Sequence, residues 1–215
     1  MELIRISLQR DERQVFRDLS LQLSERRIGL IGANGSGKSS LLRLFKGLLL
    51  PTSGEVKNPY PTGFVFQNPD HQILFPTVME ELCFGLLEQG VDETKARDAA
   101  TRLLTDHGYE ALLKRATHEL SDGQKQLVCI FSVLLDGAEW LLFDEPCAAL
   151  DLRTTESVMQ LISRLPQRLV MATHDLSLLE NFDRVIWLDQ GSIQADGAPH
   201  DVIPKYRAFV TGQVS

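Results

Sequence analysis

Ile28-Gly29-Leu30-Ile31-Gly32-Ala33-Asn34-Gly35-Ser36-Gly37-Lys38-Ser39-Ser40-Leu41-Leu42 is the stretch that decides the fold. An apolar run feeds a glycine-rich turn, and an amphipathic segment, Ser39 to Phe45, follows at once. Gly, four residues, then Gly-Lys-Ser, set between a strand and a helix, has the spacing and context of a phosphate-binding loop. Glycines let successive backbone N–H groups close on phosphate oxygens without a Cβ in the way, and the helix start adds positive potential. Lys38 supplies a mobile cation for the β- and γ-phosphates, and the Ser39 hydroxyl is placed to ligate Mg²⁺. The segment Gly32 to Ser40 therefore implies a site for a nucleoside triphosphate.

The rest of the composition narrows the setting. The chain has 215 residues, 43% hydrophobic and 24% charged, which suits one substantial core with a satellite subdomain. A formal net charge of −7 argues against nucleic acid or an anionic membrane surface as partner. No apolar run reaches membrane-spanning length; Leu41 to Leu50 is broken by Arg43 and Lys46. Met1-Glu2-Leu3-Ile4-Arg5 has no signal-peptide pattern. Cys83, Cys129 and Cys147 lack metal-ligand spacing and read as reduced thiols of a cytosolic protein. A membrane role is expected only through partners.

Working outward from the loop, Leu3 to Leu8 and Val15 to Leu21 read as strands flanking the charged turn Arg10-Asp11-Glu12-Arg13, a small antiparallel sheet. Gly63 to Phe66 reads as a buried strand ending at Gln67. From about Thr77 to Leu135 the apolar period becomes helical. Asp92 is expected to cap a helix with Ala96, Ala99, Ala100, Leu103 and Leu104 on its apolar face, and Gly108 to end it. Short strands follow at Trp140–Phe143, Leu169–Ala172 and Val185–Leu188, with Asp189-Gln190-Gly191-Ser192 as a hairpin turn. Strand–helix alternation predicts an α/β fold in which a mostly parallel sheet binds ligands at the carboxyl ends of its strands. A helical insertion over about residues 68–135 interrupts it.

Several polar residues stand where such a sheet presents ligands. In Leu141-Leu142-Phe143-Asp144-Glu145-Pro146 an apolar strand ends in two acids; Asp144 can orient Mg²⁺ and Glu145 can act as general base on water. A solvated turn is the plain alternative. Ser121-Asp122-Gly123-Gln124 offers a hydroxyl and free N–H groups at a helix start, and equally a simple serine N-cap. His174, after a strand, is placed to donate to a γ-phosphate or to serve structure alone. Gln67 ends its strand where it can touch Mg²⁺ or water, or be an ordinary turn residue.

Taken in order, the loop, Gln67, Leu120-Ser121-Asp122-Gly123-Gln124, Asp144-Glu145, Ala149-Leu150-Asp151 and His174 resemble the ATP-binding-cassette (ABC) ATPase family over nearly the whole chain. The resemblance implies a P-loop NTPase of the ABC type, one nucleotide-binding domain over 1–215 with an N-terminal antiparallel β subdomain and an inserted helical subdomain. It implies ATP and Mg²⁺ as ligands and a second ATPase subunit, identical or related. Ser121, Gly123 and Gln124 of one cassette would close over ATP held by the other, with Asp151 at the seam. The stretch Phe64 to Gly85 is similar to the segment after the glutamine loop in ATPases of energy-coupling factor (ECF) importers of vitamins such as biotin, or of cobalt and nickel ions. That similarity implies a transmembrane coupling subunit, a substrate-binding membrane subunit, and a peripheral position on the cytoplasmic face of the cell membrane. The plain reading is a surface loop leading into a helix. ATPases of other transporters, or a nucleotide-dependent switch outside transport, are the alternatives.

The chain also departs from that pattern. Asp122 stands where glycine is usual, with Lys125 expected to pair with it; Leu127 replaces a common arginine and Cys147 a common threonine. No aromatic residue lies near Gln9 and Arg10 to stack on adenine, which leaves Phe16 or Val15 to cover the ring and implies only a modest preference for ATP over GTP. With little sequence between Pro199 and Ser215 for a dimerisation region, the chain alone is expected to be monomeric or weakly dimeric.

Overall fold

The computed structural model describes residues 1–10 and 13–212, so Asp11 and Glu12 of the expected charged turn, and the terminal Ser215, lie outside the described residues. Strands β1 (Glu2–Arg10) and β2 (Arg13–Gln22) precede β3 (Arg27–Ile31), which runs through the glycine loop into α1 (Lys38–Lys46). Strands β4 (Ser53–Lys57) and β5 (Thr62–Val65) lead to helices α2 (Val78–Glu88), α3 (Glu93–His107) and α4 (Asp122–Leu135). After them come β6 (Trp140–Asp144), α5 (Leu152–Arg164), β7 (Arg168–Ala172), β8 (Arg184–Asp189), β9 (Ser192–Gly197) and α6 (Pro199–Val210). The chain forms two compact units, one of Met1–Thr62, Leu142–Glu145 and the residues from Arg168 onward, the other of Gly63–Leu141 and Pro146–Gln167.

The first unit holds an antiparallel sheet in the order β2-β1-β4. Its buried face is built by Leu3, Ile6 and Leu8 against Phe16, Leu19 and Leu21. Register shifts fall around Arg5 and Asp18, both at positive φ (47° and 54°); these bulges keep the apolar residues on one face although their spacing is not strictly two. The sheet has a third strand that the sequence pattern did not announce. In Ser53–Lys57 only Val56 is even partly buried, so this edge strand carries no apolar alternation to read.

In the same unit β3 lies between β7 and β8 and is parallel to both, Ile28 opposite Val170 and Arg184. The end of β6 flanks β7, and β9 closes the far side antiparallel to β8. β3 is buried along Ile28 to Ile31, as a strand covered on both faces must be. The β8–β9 connection has φ of 44° at Gln190 and 75° at Gly191, the paired positive values of a type I′ hairpin turn, as expected from the sequence. Parallel alignment puts the carboxyl ends of β3 and β7 on one side, and there the glycine loop and His174 emerge.

The second unit is mainly helical. Asp92 caps α3 by accepting the N–H groups of Thr94 and Lys95, Gly108 ends it at φ 78°, and Ala96, Ala100 and Leu104 are buried, as the periodicity predicts. Thr77 and Glu80 form a capping box at the start of α2. Helix α5 buries Val158, Leu161 and Ile162. Among the described residues no helix is long and apolar enough to cross a membrane.

Candidate functional site

The loop between β3 and α1 is held from behind. Gly32 has φ 147°, and a Cβ there would fall 2.1 Å from the Leu188 carbonyl oxygen, so the turn passes directly against β8. The Ser36 N–H donates to Ala33 O (3.1 Å), and the hairpin turn donates its Gly191 N–H to Ser36 O (3.2 Å). Phe16 is fully buried with its ring edge against Gly37. It therefore supports the loop from inside, which corrects the expectation that Phe16 covers a nucleotide base.

Lys38 lies within this turn, 7% exposed, its ammonium donating to Gly32 O (2.7 Å) and Ala33 O (3.3 Å). Burial lowers its pKa, and the charges of Glu145 and Asp144 oppose that shift. The Ser36 hydroxyl is buried with no hydrogen-bond partner among the described residues. A buried orphan oxygen and a cation satisfied only by carbonyls of its own loop are what a cradle for phosphate oxygens contains before the anion arrives.

Beside the loop, the Ser39 hydroxyl donates to Asp144 Oδ1 at 2.7 Å, and Arg43 stands 4.0 Å from Asp144 Oδ2. A hydroxyl and a carboxylate in contact fit a small hard cation such as Mg²⁺, which takes oxygen ligands and shares substrate phosphates. No cluster of three or more His, Cys, Asp or Glu side chains able to hold a metal occurs among the described residues, so the remaining ligands would come from elsewhere. Glu145 follows at φ 53°, a left-handed conformation unusual for this residue type, with its N–H on Ala172 O (2.9 Å). Its Oε2 meets both the N–H of His174 (3.3 Å) and the His174 ring at Nδ1 (2.8 Å). The Glu145 side chain is mostly covered while that of His174 is open to solvent. The first unit thus gathers Gly32 to Ser40, Asp144, Glu145 and His174.

The other candidate residues lie in the second unit. Gln67 is exposed just past β5, and Gln126 anchors the preceding Phe66 carbonyl at 3.4 Å. Ser121 caps α4 in a capping box with Gln124, which realises its plain reading as an N-cap. Lys125 pairs with Asp70 at 2.6 Å and not with Asp122, a correction to the sequence expectation. Residues three apart on a helix can meet, but here Asp70, outside the helix, takes the Lys125 ammonium, and Asp122 is left exposed. Asp151 caps α5 through Thr154, whose N–H and hydroxyl bonds hold its carboxyl below the usual carboxylate range.

Gly123 ties these last two features together. A Cβ on Gly123 would sit 2.0 Å from Thr154 Cγ2, and the Thr154 rotamer is fixed by its hydroxyl bond to Asp151 at 3.0 Å. Gly123→Ala is therefore expected to lower stability by about 1–3 kcal/mol, the usual range for overpacking. Urea denaturation measures the loss, and an unchanged midpoint would contradict the contact.

Glu81 went unnoticed in the sequence. It is buried, and its Oε2 accepts the N–H groups of Leu74 (2.8 Å) and Phe75 (2.9 Å), fixing the chain just after Gln72. The Thr77-x-x-Glu80 capping box marks where α2 begins and hence which acids point back over its N-terminus; that was the available signal.

Comparison with known proteins settles the family. Residues 16–148 match the family described as ABC transporter. The chain belongs to the ABC transporter family. It is 46% identical over 215 residues to the biotin transport ATP-binding protein BioM of Rhodobacter capsulatus, covering 94% of this chain and 92% of that one. The nickel import ATP-binding protein NikO of the same organism is 37% identical over 214 residues, covering 87% and 84%. Among solved structures, cbiO1 from Clostridium perfringens, part of the ABC transporter complex cbiONQ, superposes with a TM-score of 0.84 at 26% identity, covering 98% of this chain and 92% of that one. As an ABC family member the chain binds ATP.

Proposed function

We propose that this chain is the ATP-hydrolysing subunit of an ECF-type importer of a vitamin such as biotin, or of a transition-metal ion. The observation that carries the hydrolytic part is the pair of contacts beside the phosphate loop, Ser39 on Asp144 and His174 on Glu145. The importer type draws its support from the likeness to BioM, NikO and cbiO1. The chain would act as one nucleotide-binding domain with its helical part inserted at about 68–135.

In this reading Lys38 leaves the carbonyls of Gly32 and Ala33 for the β- and γ-phosphates, and the loop N–H groups hold the remaining oxygens. Ser39, Asp144 and Gln67 would hold Mg²⁺, which when bound neutralises developing charge on the phosphates. Glu145 takes a proton from the attacking water, and His174 orients that carboxylate and donates to the γ-phosphate. Ser121, Gly123 and Gln124 of a second ATPase subunit complete the site, with Asp151 at the seam between the two.

The segment after Gln67 fits a membrane partner. Leu74 is 71% exposed beside the Phe75–Phe84 ring pair (4.9 Å), and Glu81 holds its backbone in place. Next to it Asp70, Phe75, Pro76, His118 and Lys125 line a groove of about 440 Å³. An apolar, rigidly presented edge with charged walls suits a short helix of a transmembrane coupling subunit, which would work with a substrate-binding membrane subunit. The chain would then sit peripherally on the cytoplasmic face of the membrane.

Hydrolysis by the chain alone and by the chain rejoined to its membrane subunits tests the proposal. Slow turnover alone and faster turnover in the complex is expected; equal rates contradict the coupling. Asp122 gives a second check. If its exposed carboxylate faces the partner's γ-phosphate, Asp122→Gly should raise turnover or ATP affinity by a few-fold, matching a surface charge worth about 1 kcal/mol or less. No change in either would count against that placement.

A further inference from the structure

Asp144 is 6% exposed, and its two carboxylate oxygens face different groups. Oδ1 accepts the Ser39 hydroxyl at 2.7 Å. Oδ2 faces Nη2 of Arg43 across 4.0 Å, and among the described residues no other cationic side chain comes within ion-pair distance of this carboxylate. Lys38 also feels the charge of Asp144, but its ammonium is bonded to the carbonyls of Gly32 and Ala33.

Ser39 and Arg43 stand one turn apart on α1, so a single helix face meets both oxygens. The end of that helix is fixed. Gly47 closes it at φ 78°, and the Leu48 N–H donates to Arg43 O at 2.9 Å. Position 43 is therefore set by the backbone, while its side chain stays 38% exposed and fills no core. A separation of 4.0 Å is too long for a hydrogen bond, so the guanidinium acts on Asp144 as a charge and not as a bonded partner.

We propose that Arg43 is a positioning residue for the Mg²⁺ site: it draws Asp144 Oδ2 toward itself and so keeps Oδ1 beside the Ser39 hydroxyl, where both oxygens serve one cation. This rests on the reading that Ser39 and Asp144 hold Mg²⁺ with ATP, and adds a residue to which that reading gives no role. The last torsion of an aspartate is soft, and one hydroxyl fixes only one end of the carboxylate. A charge held over the other oxygen removes that freedom before nucleotide and metal arrive. The same guanidinium repels an incoming cation, but from an exposed side chain, where water and salt screen the repulsion.

Mn²⁺ serves as the probe, because its free aquo ion gives an electron paramagnetic resonance signal that is lost on binding. The full chain, in excess over ATP, is titrated with Mn²⁺ in wild type, Arg43→Ala, Arg43→Lys, Asp144→Asn and the double variant. Each is also titrated with ATP in EDTA. Arg43→Ala is expected to weaken Mn²⁺ binding by about three- to fivefold, as one partly exposed ion pair allows. ATP binding in EDTA should stay unchanged, Arg43→Lys should restore most of the Mn²⁺ affinity, and Arg43→Ala added to Asp144→Asn should weaken it no further. Unchanged or tighter Mn²⁺ binding by Arg43→Ala would overturn the proposal, as would no rescue by Arg43→Lys. An equal loss in the Asp144→Asn background would overturn it too, by detaching Arg43 from the carboxylate. Weaker ATP binding in EDTA would make Arg43 a phosphate contact instead. Should Asp144→Asn leave Mn²⁺ binding intact, the metal reading itself fails, whatever Arg43 does.

Discussion

Glu145→Gln is expected to lower ATP turnover by about 10²- to 10⁴-fold, the range for loss of a general base. The substitution keeps size and backbone, so the left-handed turn at φ 53° and the N–H bond to Ala172 O persist. An amide oxygen can still meet His174, yet it cannot take a proton from water at neutral pH. Binding of ATP should therefore survive while the chemical step does not, and two ATP-loaded chains should remain associated. Phosphate release gives the rate, and a sizing column run with ATP gives the association. Turnover near the wild-type value would remove Glu145 from the role of base. A chain that elutes only as monomer would remove the closed pair.

Gly32→Ala is the second large effect, and it acts on structure before chemistry. The added methyl would stand 2.1 Å from the Leu188 carbonyl oxygen and 2.7 Å from Ser36 Oγ, at a φ of 147° that side-chain-bearing residues rarely adopt. Neither neighbour can yield cheaply, since the Leu188 carbonyl belongs to the backbone of β8, which is paired with both β3 and β9, and Ser36 is buried in the loop. Strain of this kind, added to a steric clash with backbone, is expected to cost about 3 kcal/mol or more and to abolish ATP binding. Thermal unfolding followed by circular dichroism and a nucleotide titration check the two parts. Wild-type stability with wild-type affinity would show that the loop does not lie against β8 in this way.

The strand–loop–helix around Gly32 to Ser40 was legible because its signal is local: spacing, glycine chemistry and an apolar strand all lie within fifteen residues. The caps at Asp92 and Gly108 and the hairpin at Gln190-Gly191 were legible for the same reason. What escaped depends on contacts distant in sequence. Strand β4 is an exposed edge with no apolar alternation, and only its pairing with β1 makes it a strand. The choice of Asp70 over Asp122 by Lys125 joins residues 55 apart, and no helical spacing rule contains that competitor. Phe16, a candidate from sequence to cover the base, is core, because alternation along β2 determines which face is buried but not which side of the loop that face supports. The candidate site residues are proposed from their order along the chain, whereas the 2.7 Å contact of Ser39 with Asp144 and the 2.8 Å contact of Glu145 with His174 are visible only in the coordinates.

The central claim is that this ATPase drives a membrane importer, and purification of the tagged chain from its native membranes in mild detergent tests it most directly. Mass spectrometry of what accompanies it should identify a transmembrane coupling subunit and a small substrate-binding membrane protein, both lost when Leu74 is changed to Asp on the exposed edge. A soluble partner in their place, or no partner even when Glu145→Gln is supplied with ATP, would contradict the importer and leave a nucleotide-dependent switch.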